Sequence, residues 1–192
     1  MKRSLLLLSI VLLVPVTAYA APVSAGNGTP SEQAGGQASA PRAAATAEFQ
    51  RGYARYQGGD YRQALTEWRR AAAQGDAPAE SNLGVMYTKG QGVPQNYAKA
   101  LKWYRLAAAQ GYAHAEYNLG VMYAEGQGVP QDYVKAYKWL LLSKATLPAT
   151  DRHYPAVTKA VAVFAAAMTP AQIAQAQREA SAWYATHQHT AQ

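Results

Sequence analysis

The feature that most constrains the fold of this chain is an internal repeat with a fixed step. The segment 82–87, Asn-Leu-Gly-Val-Met-Tyr, recurs unchanged 36 residues later at 118–123, and Gly-Gln-Gly-Val-Pro-Gln at 90–95 recurs at 126–131. Repeats of this length are typical of stacked helix pairs, in which each unit contacts only its neighbours. The sequence therefore predicts an all-α array of tandem helical units.

Apolar side chains follow the spacing of one helical face in both halves of the repeat. In the second half they occupy positions 97, 100, 101, 104, 107 and 108, and in the first half positions 79, 83, 86 and 87. This spacing of three and four residues predicts amphipathic helices. A lone helix of about 12 residues is marginal in water, so each helix-turn-helix pair is expected to bury its apolar stripe against the next pair.

Short polar residues and glycines mark the expected helix ends. Asp60, Asn96 and Asp132 each precede a second helix, where a side-chain oxygen can accept from the free backbone amides. Gly75 and Gly111 follow those helices and suit the left-handed residue that closes a last turn. Glycines also fall inside the first helices, at 84 and 120, where each costs about 1 kcal/mol relative to alanine. We therefore expect helices to touch closely at these two positions.

The first 46 residues carry no helix-pair pattern. Residues 1–20 predict a cleavable signal peptide, because Lys2 and Arg3 precede a short apolar run and small residues precede the expected cut after Ala20. The run is shorter than the about 20 apolar residues of a membrane-spanning helix, so no integral membrane segment is expected in the mature chain. Residues 21–46, rich in Ala, Gly, Ser and Pro, predict a disordered linker. The expected location is the periplasm or the exterior.

The remaining residues divide into a repeat domain and a cap. Residues 47–145 are expected to form about three repeats, at 47–76, 77–112 and 113–145. Trp103 and Trp139 are expected to wedge between neighbouring helices. Residues 146–187 are expected to form a pair of C-terminal capping helices, the second opened by a capping box from Thr169 to Gln172. Residues 188–192 are expected to be a disordered tail.

These motifs resemble a known repeat family. The pattern Leu-Gly-x-x-Tyr-x-x-Gly-x-Gly-Val, followed by Asp or Asn-Tyr-x-Lys-Ala and a tryptophan, is similar to the Sel-one-like repeat, a branch of the tetratricopeptide superfamily. Residues 77–112 match throughout, residues 113–145 match as far as Trp139, and residues 47–76 resemble the plainer tetratricopeptide form. The resemblance implies a short right-handed α-solenoid whose members mostly act as adaptors that bind other proteins along a concave face.

Charge and composition narrow the expected partners. Cleavage would remove two of the 18 Lys and Arg residues, Lys2 and Arg3, and leave a net charge of +5 against 11 acidic residues. This mild excess and the expected export argue against nucleic acid. We expect an exported, non-catalytic scaffold that binds another envelope or secreted protein through a peptide or a helix. Binding of cell-wall polymer or another anionic glycan is the alternative.

Two sets of surface residues follow from the repeat. The first helices line the inner face in this fold type, and their expected protein-binding residues are Glu80, Asn82, Lys89, His114, Glu116, Tyr117, Asn118 and Glu125. The fixed step stacks four lysines of the second helices into an expected anion-binding ladder on the convex face, formed by Lys99, Lys102, Lys135 and Lys138. A solvated face that only keeps the array soluble is the other interpretation of the ladder.

The sequence offers little sign of catalysis or of a cofactor. It has no cysteine, no Gly-x-Ser-x-Gly motif and no phosphate-binding glycine loop, and its acidic residues form no near pair. The histidines at 114, 153, 187 and 189 show ligand-like spacing only in His187-x-His189, in the expected tail. We therefore expect no enzyme, no cofactor and no metal site. A hydrolase whose site is assembled by folding is the least favoured alternative.

Overall fold

The computed structural model describes residues 39–187, which fold into helices joined by short connections. The expected signal peptide, the linker up to residue 38 and the tail at 188–192 lie outside the described residues. The helices are α1 (Ser39–Gln57), α2 (Tyr61–Ala73), α3 (Ala77–Lys89), α4 (Tyr97–Ala109), α5 (Ala113–Glu125), α6 (Tyr133–Thr146), α7 (Tyr154–Ala167) and α8 (Pro170–His187).

The helices stack in chain order as tandem helix-turn-helix pairs. Helix α1 pairs with α2, α3 with α4 and α5 with α6, and the pairs join where α2 packs on α3 and α4 on α5. Both α7 and α8 pack against α6, so the last repeat is covered by the C-terminal helices. The predicted all-α solenoid of tandem helical repeats is confirmed. Within residues 39–187, no helix is long and apolar enough to cross a membrane.

The predicted helix caps form as expected. The side chains of Asp60, Asn96 and Asp132 accept hydrogen bonds from the backbone amides three residues later, at 3.1, 2.9 and 3.0 Å respectively. Thr169 and Gln172 form a reciprocal capping box at the start of α8, with bonds of 3.3 and 3.0 Å. These side chains satisfy backbone amides that a helix start would otherwise leave without partners.

The first helix begins earlier than the sequence suggested. Helix α1 starts at Ser39, whereas the disordered linker was expected to extend to residue 46. Ala45 and Phe49 are buried, and the Phe49 ring stacks on Trp68 with a centroid distance of 6.4 Å. The prediction was wrong for residues 39–46 because it treated an alanine-rich run as linker, although alanine is the best helix former.

The two glycines inside the first helices lie at close contacts, as predicted. A Cβ on Gly84 would overlap the ring of Tyr104, and a Cβ on Gly120 would lie 3.0 Å from Cγ of Leu140. In both cases the contacting residue belongs to the second helix of the same repeat. The glycines therefore let the paired helices approach more closely than a side chain would allow.

Large aromatic side chains join the repeats. Trp68 is fully buried and donates a hydrogen bond from Nε1 to the carbonyl of Phe49 at 3.2 Å. Trp103 is partly buried and packs against both hydrophobic clusters of the core. Trp139 is buried and meets the ring of Trp183 in α8 edge-on, at 4.8 Å between centroids. Tryptophan thus connects the first repeats to each other and the last repeat to the cap.

Candidate functional site

Most of the predicted protein-binding residues are inside the array. Five of the eight are at most 9% exposed, namely Glu80, Asn82, Glu116, Tyr117 and Asn118. The expectation that Glu80, Glu116 and Tyr117 are exposed on this face is wrong. Helices α3 and α5 each lie between two second helices, so nearly every side chain along them contacts protein.

Two buried carboxyl groups at equivalent repeat positions bond across their own helix pairs. Oε2 of Glu80 accepts from the Gln110 side chain at 2.8 Å, and Oε2 of Glu116 accepts from the Thr146 hydroxyl at 2.8 Å. Burial raises the pKa of both carboxyl groups to about 7, although these hydrogen bonds act to lower it. Each carboxyl ties a first helix to the end of the second helix, which is a structural role.

Three residues of the predicted protein-binding set remain accessible. Lys89 is exposed, whereas His114 and Glu125 are half-buried. Lys89 ends α3 and Glu125 ends α5, so they occupy equivalent positions of neighbouring repeats and carry opposite charges. Burial lowers the pKa of Lys89 and raises that of Glu125. The ends of the first helices therefore present a pair of accessible opposite charges.

The lysine ladder is only partly open to solvent. Lys99, Lys102 and Lys135 are exposed, but Lys138 is half-buried. Its ammonium group lies 4.9 and 5.0 Å from the ring centroids of Trp139 and Trp183. Burial lowers the pKa of Lys138. The expectation of a fully exposed ladder is thus wrong at this position, because α8 packs on α6.

Arginine and lysine side chains of the second helices also contact a tyrosine in each of the two Sel-one-like repeats. Arg69 donates to the Tyr87 hydroxyl at 2.8 Å, and the Lys99 ammonium lies 5.5 Å from the centroid of the same ring. One repeat later, Tyr123 has the same two neighbours, with an arginine bond of 2.9 Å and a lysine distance of 5.8 Å. Both lysine distances are within the range of cation–π attraction. These cations therefore contribute to packing between repeats as well as to surface charge.

Two histidines and an aspartate meet beside the start of α5. His114 lies in the first turn of α5, whereas Asp151 and His153 lie in the connection that precedes α7. Nε2 of His114 is 3.3 Å from Nδ1 of His153 and 3.5 Å from Oδ2 of Asp151. Oδ1 of Asp151 is 3.0 Å from Nδ1 of His153 and accepts from that residue's backbone amide at 2.7 Å. We call these three residues the His-Asp-His cluster.

The His-Asp-His cluster is partly buried, and burial changes the pKa values of its side chains. The side chains of His114, Asp151 and His153 are 15%, 5% and 18% exposed. Burial lowers the pKa of His114 to about 4, although the charge of Asp151 acts against this. Burial acts to raise the pKa of Asp151, but the hydrogen bonds from His153 and the charges of both histidines lower it overall. A neutral imidazole and an ionised carboxylate are the forms that bind metal ions, and these shifts favour them at His114 and Asp151.

The sequence gives little sign of this cluster because its members are far apart in the chain. His114 and His153 are separated by 39 residues, so helical spacing gives no hint of their contact. The short Asp151-x-His153 segment was the only local signal, and the expectation of no metal site did not take it into account. The His187-x-His189 pair that spacing did indicate extends outside the described residues.

A small apolar cleft lies where the last repeat meets the cap. It is lined by Tyr117, Gly120, Val121, Ala124, Leu140, Ala160 and Phe164. Tyr117, one of the predicted binding residues, is therefore part of this cleft and not of an open face. Burial raises the pKa of its hydroxyl to about 12.

The stacked helix pairs and the capped end define an α-solenoid repeat protein. The family model for the Sel1 repeat matches residues 77–112 and 113–144. These two ranges correspond to α3 with α4 and α5 with α6, so the second and third repeats are Sel1 repeats, as their resemblance implied.

Solved structures with the same fold support this assignment. A crystal structure of c5321, described as a protective antigen present in uropathogenic Escherichia coli strains displaying an SLR fold, is 29% identical with a TM-score of 0.68. A Sel1 repeat protein from Oxalobacter formigenes is 26% identical with a TM-score of 0.51. The alignments cover 80% and 62% of this chain, but only 32% and 56% of those proteins. No curated protein matches the chain.

Proposed function

We propose that this chain is an exported, non-catalytic scaffold that binds a protein of the cell envelope through a peptide or a helix. The observation that carries this proposal is the pair of Sel1 repeats, a fold that generally serves protein–protein interaction and whose members are typically non-catalytic. Export rests on the charged start, apolar run and small residues of segment 1–20.

The accessible opposite charges at the ends of α3 and α5 are the favoured contact surface. Lys89 and Glu125 are equivalent repeat positions, and both side chains reach solvent at least partly. Charges of this kind at the rim of an interface guide the approach and register of a charged partner segment. The short array favours a peptide or a single helix as ligand over a broad globular surface.

Affinity capture with charge-reversed variants tests this proposal. The wild-type chain and a Lys89→Glu, Glu125→Lys double variant are cross-linked in envelope extract, and captured proteins are identified by mass spectrometry. Lys159→Glu serves as control, because Lys159 is exposed on α7 and lies outside the proposed surface. A partner retained by wild type and by the control but lost by the double variant supports the proposal. Equal capture by all three chains contradicts the assigned surface, and no capture contradicts the scaffold function.

Export is tested separately by cell fractionation and N-terminal sequencing. The proposal expects the chain in the periplasm or the medium, with Ala21 as its first residue. A chain that remains in the cytoplasm with its first 20 residues attached would contradict export without bearing on the repeat fold.

A second candidate function is binding of anionic cell-wall polymer. It is favoured by the three exposed lysines on consecutive second helices, Lys99, Lys102 and Lys135. Lys99 and Lys102 lie on α4 and Lys135 lies on α6, so the positive charge extends over two repeats. At physiological salt each charge acts over a Debye length of about 8 Å. Sedimentation with purified polymer tests this function, and a triple Lys→Glu variant should remain in solution. If the triple variant sediments as wild type does, the lysines are not the binding surface.

A further inference from the structure

The His-Asp-His cluster has the ligand types of a transition-metal site. Imidazole nitrogen suits Zn²⁺, Ni²⁺ and Cu²⁺, and a single carboxylate completes a common three-residue set. The three ligand atoms of His114, Asp151 and His153 all lie within 4.8 Å of one another. Among the described residues 39–187, no other group of three His, Asp or Glu side chains places its ligand atoms this close together.

Two distances within the cluster match the spacing of ligand atoms in a coordination tetrahedron. Zinc–nitrogen bonds of about 2.0 to 2.1 Å at tetrahedral angles place neighbouring ligand atoms about 3.3 Å apart. The ring nitrogens of His114 and His153 are 3.3 Å apart, and Oδ2 of Asp151 lies 3.5 Å from Nε2 of His114. The two imidazole rings are perpendicular, with centroids 5.2 Å apart, which keeps them from colliding around a shared centre.

The backbone holds the carboxylate in this orientation. Oδ1 of Asp151 accepts from the amide of His153 at 2.7 Å, so Oδ2 is directed to the His114 side of the cluster. A carboxylate oriented by a hydrogen bond on its second oxygen is a usual feature of metal sites. The side chains are partly exposed, so an ion can enter and water can occupy a fourth position.

We propose that His114, Asp151 and His153 bind one divalent transition-metal ion, with Zn²⁺ preferred, and that the ion joins the second Sel1 repeat to the connection before α7. The site fixes the segment 147–153 to the first turn of α5. Its fourth position remains open to water or to a ligand atom from another molecule. This proposal does not depend on the proposed scaffold function.

The charge around the cluster sets the expected strength of binding. Asp151 supplies one negative charge, whereas Arg152 is exposed beside the cluster and acts electrostatically on His114. A nearby positive charge opposes the arrival of a cation. We therefore expect Arg152→Ala to raise the affinity for Zn²⁺ a few-fold.

Calorimetric titration of the full chain, without an affinity tag, with Zn²⁺ tests the proposal. We expect one ion per chain, and no binding of Mg²⁺ or Ca²⁺, which prefer oxygen ligands. His114→Ala and His153→Ala should each lower the affinity by more than about 100-fold, because even loss of a residue behind a ligand costs about 10- to 100-fold. Circular dichroism in chelator establishes that each variant is folded.

The matched control removes the other histidine pair of the chain. A His187→Ala, His189→Ala variant should bind Zn²⁺ with unchanged affinity. Binding that is lost in this control and retained in His114→Ala would assign the metal to the C-terminal pair and overturn the proposal. Absence of Zn²⁺ binding to wild type would overturn it as well.

Hydrogen exchange gives a second readout that needs no ligand-removing variant. Zn²⁺ should slow exchange of the amides in 147–153 and leave the turn at 58–60, at the other end of the array, unchanged. Equal exchange at 147–153 with and without Zn²⁺ would count against the site. An Arg152→Ala variant that binds Zn²⁺ no more tightly than wild type would also count against it.

Discussion

Replacing Glu116 by glutamine should change how stability depends on pH. Glu116 is 2% exposed and burial raises the pKa of its carboxyl from 4.5 to about 7. The folded chain therefore binds more protons at this group than the unfolded chain between pH 4.5 and 7. The stability that this group contributes is fully present below pH 4.5 and is lost as the pH rises through 7.

The size of the effect follows from the two pKa values. One pKa unit corresponds to about 1.36 kcal/mol, so ionising Glu116 in the folded chain costs on the order of 2 to 3 kcal/mol between pH 5 and pH 8.5. Glutamine has nearly the same shape and no charge. The unfolding free energy of Glu116→Gln should therefore rise relative to that of wild type by about 2 to 3 kcal/mol from pH 5 to pH 8.5. The Thr146 hydroxyl can still donate to the glutamine oxygen, as it does to Oε2 of Glu116.

Urea denaturation at pH 5, 6, 7 and 8.5, followed by circular dichroism, measures this change. The relevant quantity is the difference in unfolding free energy between variant and wild type at each pH, obtained by linear extrapolation. His114 has the opposite pH dependence: burial lowers its pKa to about 4, so the stability that it contributes is lost as the pH falls below 6.5. Because this contribution is the same in both chains, it cancels in the difference. Glu179→Gln, at a partly exposed position of α8, is the control. A difference that stays constant from pH 5 to 8.5 would refute the reasoning.

Three further predictions concern the packing of the repeats, and urea denaturation measures each of them. Gly84→Ala should lose about 1 to 3 kcal/mol of unfolding free energy, because its Cβ would overlap the Tyr104 ring; an unchanged midpoint would contradict the close contact. Trp68→Ala should lose about 3 to 5 kcal/mol, because the indole is fully buried, and a loss under 1 kcal/mol would be inconsistent with that burial. Tyr87→Phe should lose about 0.5 to 1.5 kcal/mol with its bond from Arg69; in an Arg69→Ala background the same change should have little effect, and a full additional loss there would disprove the pairing.

Local sequence signals predicted the helices and their ends. Apolar spacing located both helices of each repeat, and the residues Asp60, Asn96 and Asp132 fixed where the second helices begin. These signals succeed because helix formation and capping depend on neighbours within about four residues. The expected contact at Gly84 was also confirmed, since a glycine inside a helix has a specific packing reason.

Exposure was not predictable in the same way, because it depends on which other helices cover a position. Glutamate is usually exposed, but Glu80 and Glu116 are buried and bond to Gln110 and Thr146 at the ends of the second helices. Lys138 is half-buried only because α8 packs on α6. His114 meets His153 only because the connection before α7 folds back on α5. Each contact is set by the arrangement of helices and leaves no periodic trace in the sequence.

We propose that the repeat array binds a protein partner at the ends of its first helices. The most direct measurement is cross-linking mass spectrometry of the captured complex with a lysine-reactive reagent. Cross-links to the partner should concentrate at Lys89, which ends α3, and should be sparse at Lys159 on α7. Cross-links that concentrate at Lys159 and spare Lys89 would contradict the claim.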